Sequence, residues 1–585
     1  MYRLSDGGQL QSATTPFFGA GLRFFTTMCA LAVFVCSAFT AAAGCVLMLL
    51  YLRGDFTEDP GFFARLALKT AFFSLTTIGS GWALRRQAPM CLQETSRIQE
   101  TPREREDARA TSSTFTVLLI AAAATMLLVL PNLGAYPWPA PDEMHHLIVA
   151  RNLAEHGSYA SGHPDDSLVY FDPYDSVGPP VILPVAAAFK VFGTGLAPAR
   201  IVIALSYFAL CAFVFLLMRR PFGPTPAAGA VLMMTMAFGS VYLARSLYGE
   251  VPALMFLLAG LWCWGRALDS KKSIAFPLAA GLCFGLAVLT KTFVLIGAWA
   301  FVGVWLYDRL TNKRIALRHV ALPLAGMFAV LAAWAAVEFA YRHLASGEAS
   351  TLVYYRHSLM FGLDSLPSAS TLLLTQALPI LAAVSAFIFV APRVFRDRYD
   401  PPTMVLFLLA VLFAFWWIFF TPARIPRYMW YSCAIAGMFA GAFMCYLLGR
   451  VFEGKWRMKW AAAALAMAAL IVGTGVMRVA PQFQFALFED RVQSERDLAR
   501  YLETLPAETR IATTYWPAQR SVNFLADRPI AVVDPAAESY PDYDTIVYST
   551  RVPPVPPEAV AKGVTIGHYV VLATRSNEED PSNDR

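Results

Sequence analysis

The sequence predicts an α-helical polytopic membrane protein with a long first extracytoplasmic loop and a small α/β unit at its C-terminal end. Three observations carry this prediction. Of 585 residues, 57% are apolar and only 15% are charged, where soluble chains carry about 25% charged residues. The apolar residues gather in runs long enough to cross a bilayer. The Lys and Arg residues between those runs are sorted onto alternate loops. Charge this scarce excludes a disordered chain, a coiled coil and an ordinary cytosolic protein. The formal net charge of +6 reflects loop orientation and points to no nucleic-acid partner.

Reading along the chain, about thirteen runs qualify as spanning helices. They lie near 22–52, 62–84, 114–134, 199–218, 225–243, 250–265, 274–290, 292–307, 320–340, 371–391, 402–420, 428–448 and 459–478. The first is too long for a signal-peptide core and continues past Ala41–Gly44. One set of alternate loops holds Arg85, Arg86 and Arg97 to Arg109, then Arg219 and Arg220, then Arg266, Lys271 and Lys272. The same set continues through Arg309 to Arg318, Arg393 to Arg398 and Arg450 to Lys459. The opposite short loops hold far fewer, among them Arg53, Arg245, Lys291, Arg342, Arg356, Arg424 and Arg427. By the positive-inside rule the basic set is cytoplasmic, which puts the N-terminus inside and the C-terminal part on the periplasmic side of a cell (inner) membrane.

The same parity resolves 274–307, which has basic loops on both sides and so must be a hairpin. Lys291 then stands at its outer tip; at mid-membrane it would cost about 2.5–3.5 kcal/mol. Two outer segments are not spans. Residues 135–198 form a loop rich in Asp, His, Pro and Gly, with Val181–Val191 as an interfacial helix. Residues 480–585 change pattern, from a helical period between Val492 and Leu502 to strand-like Arg510–Thr514, Ile530–Val533, Thr545–Tyr548 and His568–Leu572, with a disordered end. The organisation expected is therefore 1–113, an extra hairpin with a cytoplasmic loop; 114–479, the transmembrane catalytic unit; and 480–585, the extracytoplasmic α/β unit. The nine cysteines show neither CxxC nor metal-ligand spacing.

The first outer loop carries the chemistry. Pro141-Asp142-Glu143-Met144-His145-His146 opens a helix, with Pro at a first helical position and acids in the first turn. Helix capping accounts for that pattern, but Asp142 also shares a face with His145 and His146. A carboxylate beside an imidazole above the membrane can deprotonate a hydroxyl nucleophile. Asp172 and Asp175 follow in a turn before Gly178-Pro179-Pro180. His145, His146, His156 and His163 share the loop, yet no HExxH or other closed-site spacing is present, so no metal or other cofactor is implied.

In its order of motifs this segment resembles the first loop of the GT-C glycosyltransferases. The Pro-Asp-Glu start, the helix Ala150-Arg151-Asn152-Leu153-Ala154-Glu155-His156-Gly157, Tyr170-Phe171-Asp172 and the Pro-Pro helix ending Phe192-Gly193 carry the likeness. It continues with Ala199-Arg200 opening one span and Gly285 to Lys291 ending another. It covers roughly residues 114–450 and is strongest to the polyprenyl-phosphate-sugar branch, which includes protein O-mannosyltransferases and the lipid A aminoarabinose transferase.

The resemblance implies a polyprenyl-phosphate-sugar donor in the lipid, an extracytoplasmic acceptor (glycan, lipid or protein) and inversion at the anomeric carbon. It makes Asp142, with Glu143 beside it, the first acidic position and general base, and either Asp172 or Asp175 the second. Lys291 matches the lysine that would neutralise the leaving phosphate, with Arg356, His357 and Arg427 as further candidates and Glu250 as an acid often found in relatives. His145 and His146 stand where relatives carry Arg and Tyr, and Pro173 where one carries Lys. The rival from another class is a transporter or flippase of lipid-linked sugars, which would place its ionisable groups near the membrane midplane.

Overall fold

Among the described residues five helices are long and apolar enough to cross a membrane: Leu196–Phe222, Glu250–Asp269, Thr292–Thr311, Arg318–Tyr341 and Arg427–Gly449. They belong to a computed structural model that describes residues 119–345, 400–452 and 492–574, except 120, 164–167, 173–175, 271–272, 312, 421–425, 535–539 and 551–554. The runs at 22–52, 62–84, 371–391 and 459–478 lie outside the described residues, as do the unit 1–113, the segment 575–585 and the candidates Asp175, Arg356 and His357.

After a helical stretch at 121–129 and a turn, α1 (Pro141–His156) leads through the short antiparallel pair β1 (Ala160–Ser161) and β2 (Val169–Tyr170) into α2 (Pro179–Phe192). Then follow α3 (Leu196–Phe222), α4 (Pro224–Thr235), the single turn α5 (Ser240–Leu243), α6 (Glu250–Asp269) and α7 (Ala275–Thr290). A 3₁₀ turn (Thr292–Leu295) joins α7 to α8 (Ile296–Thr311), and α9 is Arg318–Ala345. Beyond the gap come α10 (Pro401–Phe420), a 3₁₀ turn (Pro426–Met429) and α11 (Trp430–Phe452).

One core of buried apolar side chains runs through this bundle from Val129 to Leu447. Outward-facing Leu205, Leu282, Phe328 and Phe339 are exposed. Such residues on helices of this length are the surface of a membrane protein, where lipid rather than water is the solvent.

The hairpin expected at 274–307 is present, with Lys291 in extended backbone between α7 and the 3₁₀ turn. One expectation needs correction. The run 225–243 is not one helix, because the chain turns at 236–239, where Gly239 adopts a left-handed φ of 77°. Ser240 Oγ stabilises that break, donating to the Met234 carbonyl at 2.7 Å and accepting from the Trp430 indole N–H at 2.9 Å. At the junction after α7 the Lys291 side chain is buried, 3% exposed.

Residues 492–574 form a mixed sheet of order β4-β3-β5-β7-β6. Helix α12 (Gln493–Glu503) precedes β3 (Ile511–Thr513), α13 (Trp516–Ala526), β4 (Ile530–Val532) and β5 (Thr545–Ser549). Then come α14 (Pro557–Lys562), β6 (Val564–Ile566) and β7 (Tyr569–Ala573). Strands β4, β3 and β5 are parallel, whereas β7 and β6 are antiparallel. Leu498, Leu502, Ile511, Val522, Ile530 and Val571 give this unit its own core. It rests on α1, with Phe524 of α13 packed 6.2 Å from Phe189 of α2.

Candidate active site

The site is assembled by α1, the turn before α2, the turn before α6, the end of α7 and the 3₁₀ turn before α11. Two close backbone approaches fix it. At Gly178 a Cβ would lie 1.9 Å from the Leu289 carbonyl oxygen, so only glycine lets the start of α2 lie against the end of α7. Gly249 has φ +82°, and a Cβ there would press on Val177 at 3.1 Å and on the Lys291 stem at 3.3 Å. These contacts bring Ser176, Glu250 and Lys291 together.

Glu250 opens α6 and is fully buried, and neither of its carboxylate oxygens accepts a hydrogen bond. Lys291 Nζ and Arg427 Nε each approach it to 3.7 Å, close enough for attraction but too far for a hydrogen bond. The Arg427 guanidinium also forms an ion pair with Asp142 Oδ2 and lies 4.4 Å above the Tyr248 ring. One buried and one partly buried cation thus flank one buried anion, with Asp142, 37% exposed, at the open side.

His146 closes the cluster from α1. Its Nδ1 lies 2.8 Å from the Leu247 carbonyl, an acceptor only, so Nδ1 carries the proton and Nε2 accepts. Ser176 Oγ bridges His146 Nε2 at 3.3 Å and Lys291 Nζ at 3.2 Å, accepting from the ammonium and donating to the ring. Burial, then the Lys291 and His145 charges, hold the His146 pKa well below its ordinary value, so the ring is neutral. For Asp142 burial raises the pKa, but the charge and hydrogen bond of Arg427, helped by His146 and Lys291, outweigh it and hold the carboxyl below its usual value.

Glu143, the other acid of the first turn of α1, faces Arg200 and not the Lys291–Arg427 cluster. Its oxygens accept from Arg200 Nε at 2.9 Å and Nη2 at 3.0 Å, and from the Leu247 N–H at 3.1 Å. Both partners are fully buried. Arg200 also donates to the carbonyls of Leu133 and Pro137, and Arg245 to those of Leu128, Val129 and Tyr136. The two arginines clamp the turn that delivers α1.

His145 lies on another side of α1, with Nε2 3.6 Å from Asp172 Oδ2, and Ser161 Oγ donates to that same oxygen at 2.6 Å. The structure thus brings Asp142, His146, Glu250, Lys291 and Arg427 together and groups His145 with Asp172. Ser176 and the clamp role of Arg200 and Arg245 were missed: a lone turn serine carries no sequence signal, while two arginines beside apolar runs do. Among the described residues no group of three or more His, Cys, Asp or Glu side chains could hold a metal ion.

With this geometry in place, the comparisons can be set against it. The crystal structure of ArnT from Cupriavidus metallidurans bound to undecaprenyl phosphate superposes over 80% of this chain and 99% of its own, with a TM-score of 0.56 at 15% identity. Its apo state matches over 79% and 98%, with a TM-score of 0.54 at 14% identity. The archaeal oligosaccharyltransferase AglB from Archaeoglobus fulgidus, in complex with an inhibitory peptide and a dolichol-phosphate, matches over 76% and 70%, with a TM-score of 0.50 at 12% identity. The fold is therefore shared with ArnT and AglB. Residues 177–337 match the family described as dolichyl-phosphate-mannose-protein mannosyltransferase. No curated protein matches the chain in sequence.

Proposed function

We propose that this chain transfers a sugar from a polyprenyl-phosphate-linked donor to an acceptor on the extracytoplasmic face, with inversion at the anomeric carbon. The observation that carries the reading is the pair of cations, buried Lys291 and partly buried Arg427, held around Glu250 beside the partly exposed Asp142. A phosphate leaving group needs no strong acid, but its charge needs fixed cations in a water-poor site. The fold supports the reading, since ArnT was crystallised with undecaprenyl phosphate and AglB with a dolichol-phosphate.

In this mechanism the acceptor hydroxyl oxygen attacks C1 of the sugar as the C1–O bond to phosphate breaks, and its proton passes to Asp142. The bond's electron pair leaves on the phosphate, between Lys291 and Arg427. The incoming phosphate competes with Asp142 for Arg427, and losing that ion pair makes Asp142 a stronger base at the step that needs one. Glu250 keeps both cations in place before the donor arrives, and His146, through Ser176, orients Lys291. Glu143 acts with Arg200 as a positioning residue. His145 and Asp172 line the acceptor side of α1. The group moved is a hexose or pentose, and the acceptor a glycan, lipid or protein of the cell envelope.

The test is transfer of labelled sugar from a polyprenyl-phosphate donor by purified protein, compared with Asp142→Asn. Positioned base catalysis contributes about 10²–10⁴-fold, so the folded variant should lose at least the lower part of that range. Undiminished transfer by the variant removes Asp142 from the base role, and no transfer from any such donor removes the function.

A further inference from the structure

A second polar cluster lies at the opposite end of the same helices. Both α3 and α6 start at the candidate site, with Arg200 and Glu250, and both end at a cavity of about 720 Å³. At 1.5 Å per residue, Arg266 stands about 24 Å along α6 from Glu250, and Arg219 about 28 Å along α3 from Arg200. Those distances approach the ~30 Å thickness of a bilayer's hydrocarbon core. The cavity therefore opens at the other membrane interface.

Three arginines and two aspartates line it: Arg219, Arg220, Arg266, Asp269 and Asp400. Arg220 is held in a fixed fork, 2.8 Å from Asp269 and 2.7 Å from the buried Asp400. Gly265 makes room for it, since a Cβ there would come within 2.9 Å of the Arg220 guanidinium. Arg219 and Arg266 are exposed and have no carboxylate partner among the described residues, so the lining keeps an excess of one positive charge. The remaining wall, including Leu216, Leu217, Trp262 and Pro402, is apolar.

We propose that this cavity binds the phosphodiester headgroup of an anionic phospholipid from the leaflet opposite the candidate active site. Arg219 and Arg266, the latter lying 5.9 Å from the Phe276 ring, take the phosphate oxygens, which they suit as planar multi-donor groups. The apolar wall takes the glycerol and the first acyl methylenes. A soluble phosphate would use the arginines but not that wall, and a choline headgroup would bring a cation towards them.

The test is native mass spectrometry of the purified full chain in micelles containing equal phosphatidylglycerol and phosphatidylcholine. Phosphatidylglycerol should be retained preferentially, and Arg219→Ala/Arg266→Ala should weaken it about thirtyfold, the contribution of two basic residues at a membrane surface. Both side chains are exposed and make no ion pair among the described residues, so the variant should melt with the wild type. Equal retention of the two lipids, or undiminished phosphatidylglycerol binding by the folded double variant, overturns the proposal. Displacement of the lipid by millimolar inorganic phosphate would identify a site for a soluble anion and overturn it equally.

Discussion

The buried pair of Glu143 and Arg200 offers a way to test whether Glu143 has a structural or a catalytic role. Removing Arg200 as Arg200→Met leaves a carboxylate with no solvent exposure facing only the Leu247 N–H, and frees the Leu133 and Pro137 carbonyls. Breaking a buried pair from one side costs about 3–5 kcal/mol. Glu143→Gln keeps an oxygen for the Leu247 N–H but leaves the buried Arg200 guanidinium without its counter-ion, so it too should cost about 3–5 kcal/mol. Since both changes act on one contact, the double variant should be more stable than the sum of the two losses allows, by about 0.5–3 kcal/mol. Thermal melting in detergent or nanodiscs measures these terms, and sugar transfer per folded molecule measures the other half. Glu143→Gln should keep its turnover within about tenfold of wild type, below the 10²–10⁴-fold that loss of a catalytic base produces. Wild-type melting combined with a hundredfold or greater loss of turnover would refute the reasoning and return Glu143 to the chemistry.

Lys291→Met should lower kcat by about 10²–10³, as removal of one charge-stabilising group does, with a smaller change in donor KM; a change in KM alone would make Lys291 a binding residue only. His146 sets a pH dependence whose sign follows from its depressed pKa. The folded protein holds the ring neutral, so its contribution to stability is full above the unfolded value of about 6.5 and declines as pH falls below it. Melting scans from pH 7.5 to 5 should show this loss, and His146→Gln should flatten it. Gly178→Ala must displace the Leu289 carbonyl from 1.9 Å, so both melting temperature and transfer should fall, whereas an unchanged melting temperature would mean that α2 and α7 separate freely.

Much of the bundle was legible because bilayer thickness fixes run length and loop charge fixes parity. Lys291 could be placed at a helix junction for that reason alone: basic loops on both sides forced a hairpin between 274 and 307. What neither rule reaches is the break at 236–239, because Ala237-Phe238-Gly239 is apolar enough to continue a span and only the Ser240–Trp430 contact shows that it does not. The first turn of α1 was legible as acidic but not as divided labour. Asp142 and Glu143 are neighbours in sequence yet about 100° apart around a helix, and which of them meets Arg200 or Arg427 depends on residues 57 and 285 positions away. Ser176 had no signal at all, since its role is created by the approach of Gly178 to Leu289.

Helix α1 shows why the site is built on a segment without a simple amphipathic stripe. It buries Met144, Leu147, Ile148 and Val149 together with Glu143, His145, His146, Arg151 and Asn152. Buried polar groups are costly unless matched, and each of these reaches a different element. Glu143 ties α1 to α3, His146 to the turn before α6, and Asn152 to the carbonyls of Ala160 and Gly162. Arg151 ties it to the C-terminal unit, through the Asn523 carbonyl and side chain and through Asp527. Arg520 of that unit donates to the Pro141 carbonyl at 3.3 Å, one residue before Asp142. The bundle and the C-terminal unit therefore hold α1 from opposite sides, and the carboxylate they leave partly exposed is Asp142.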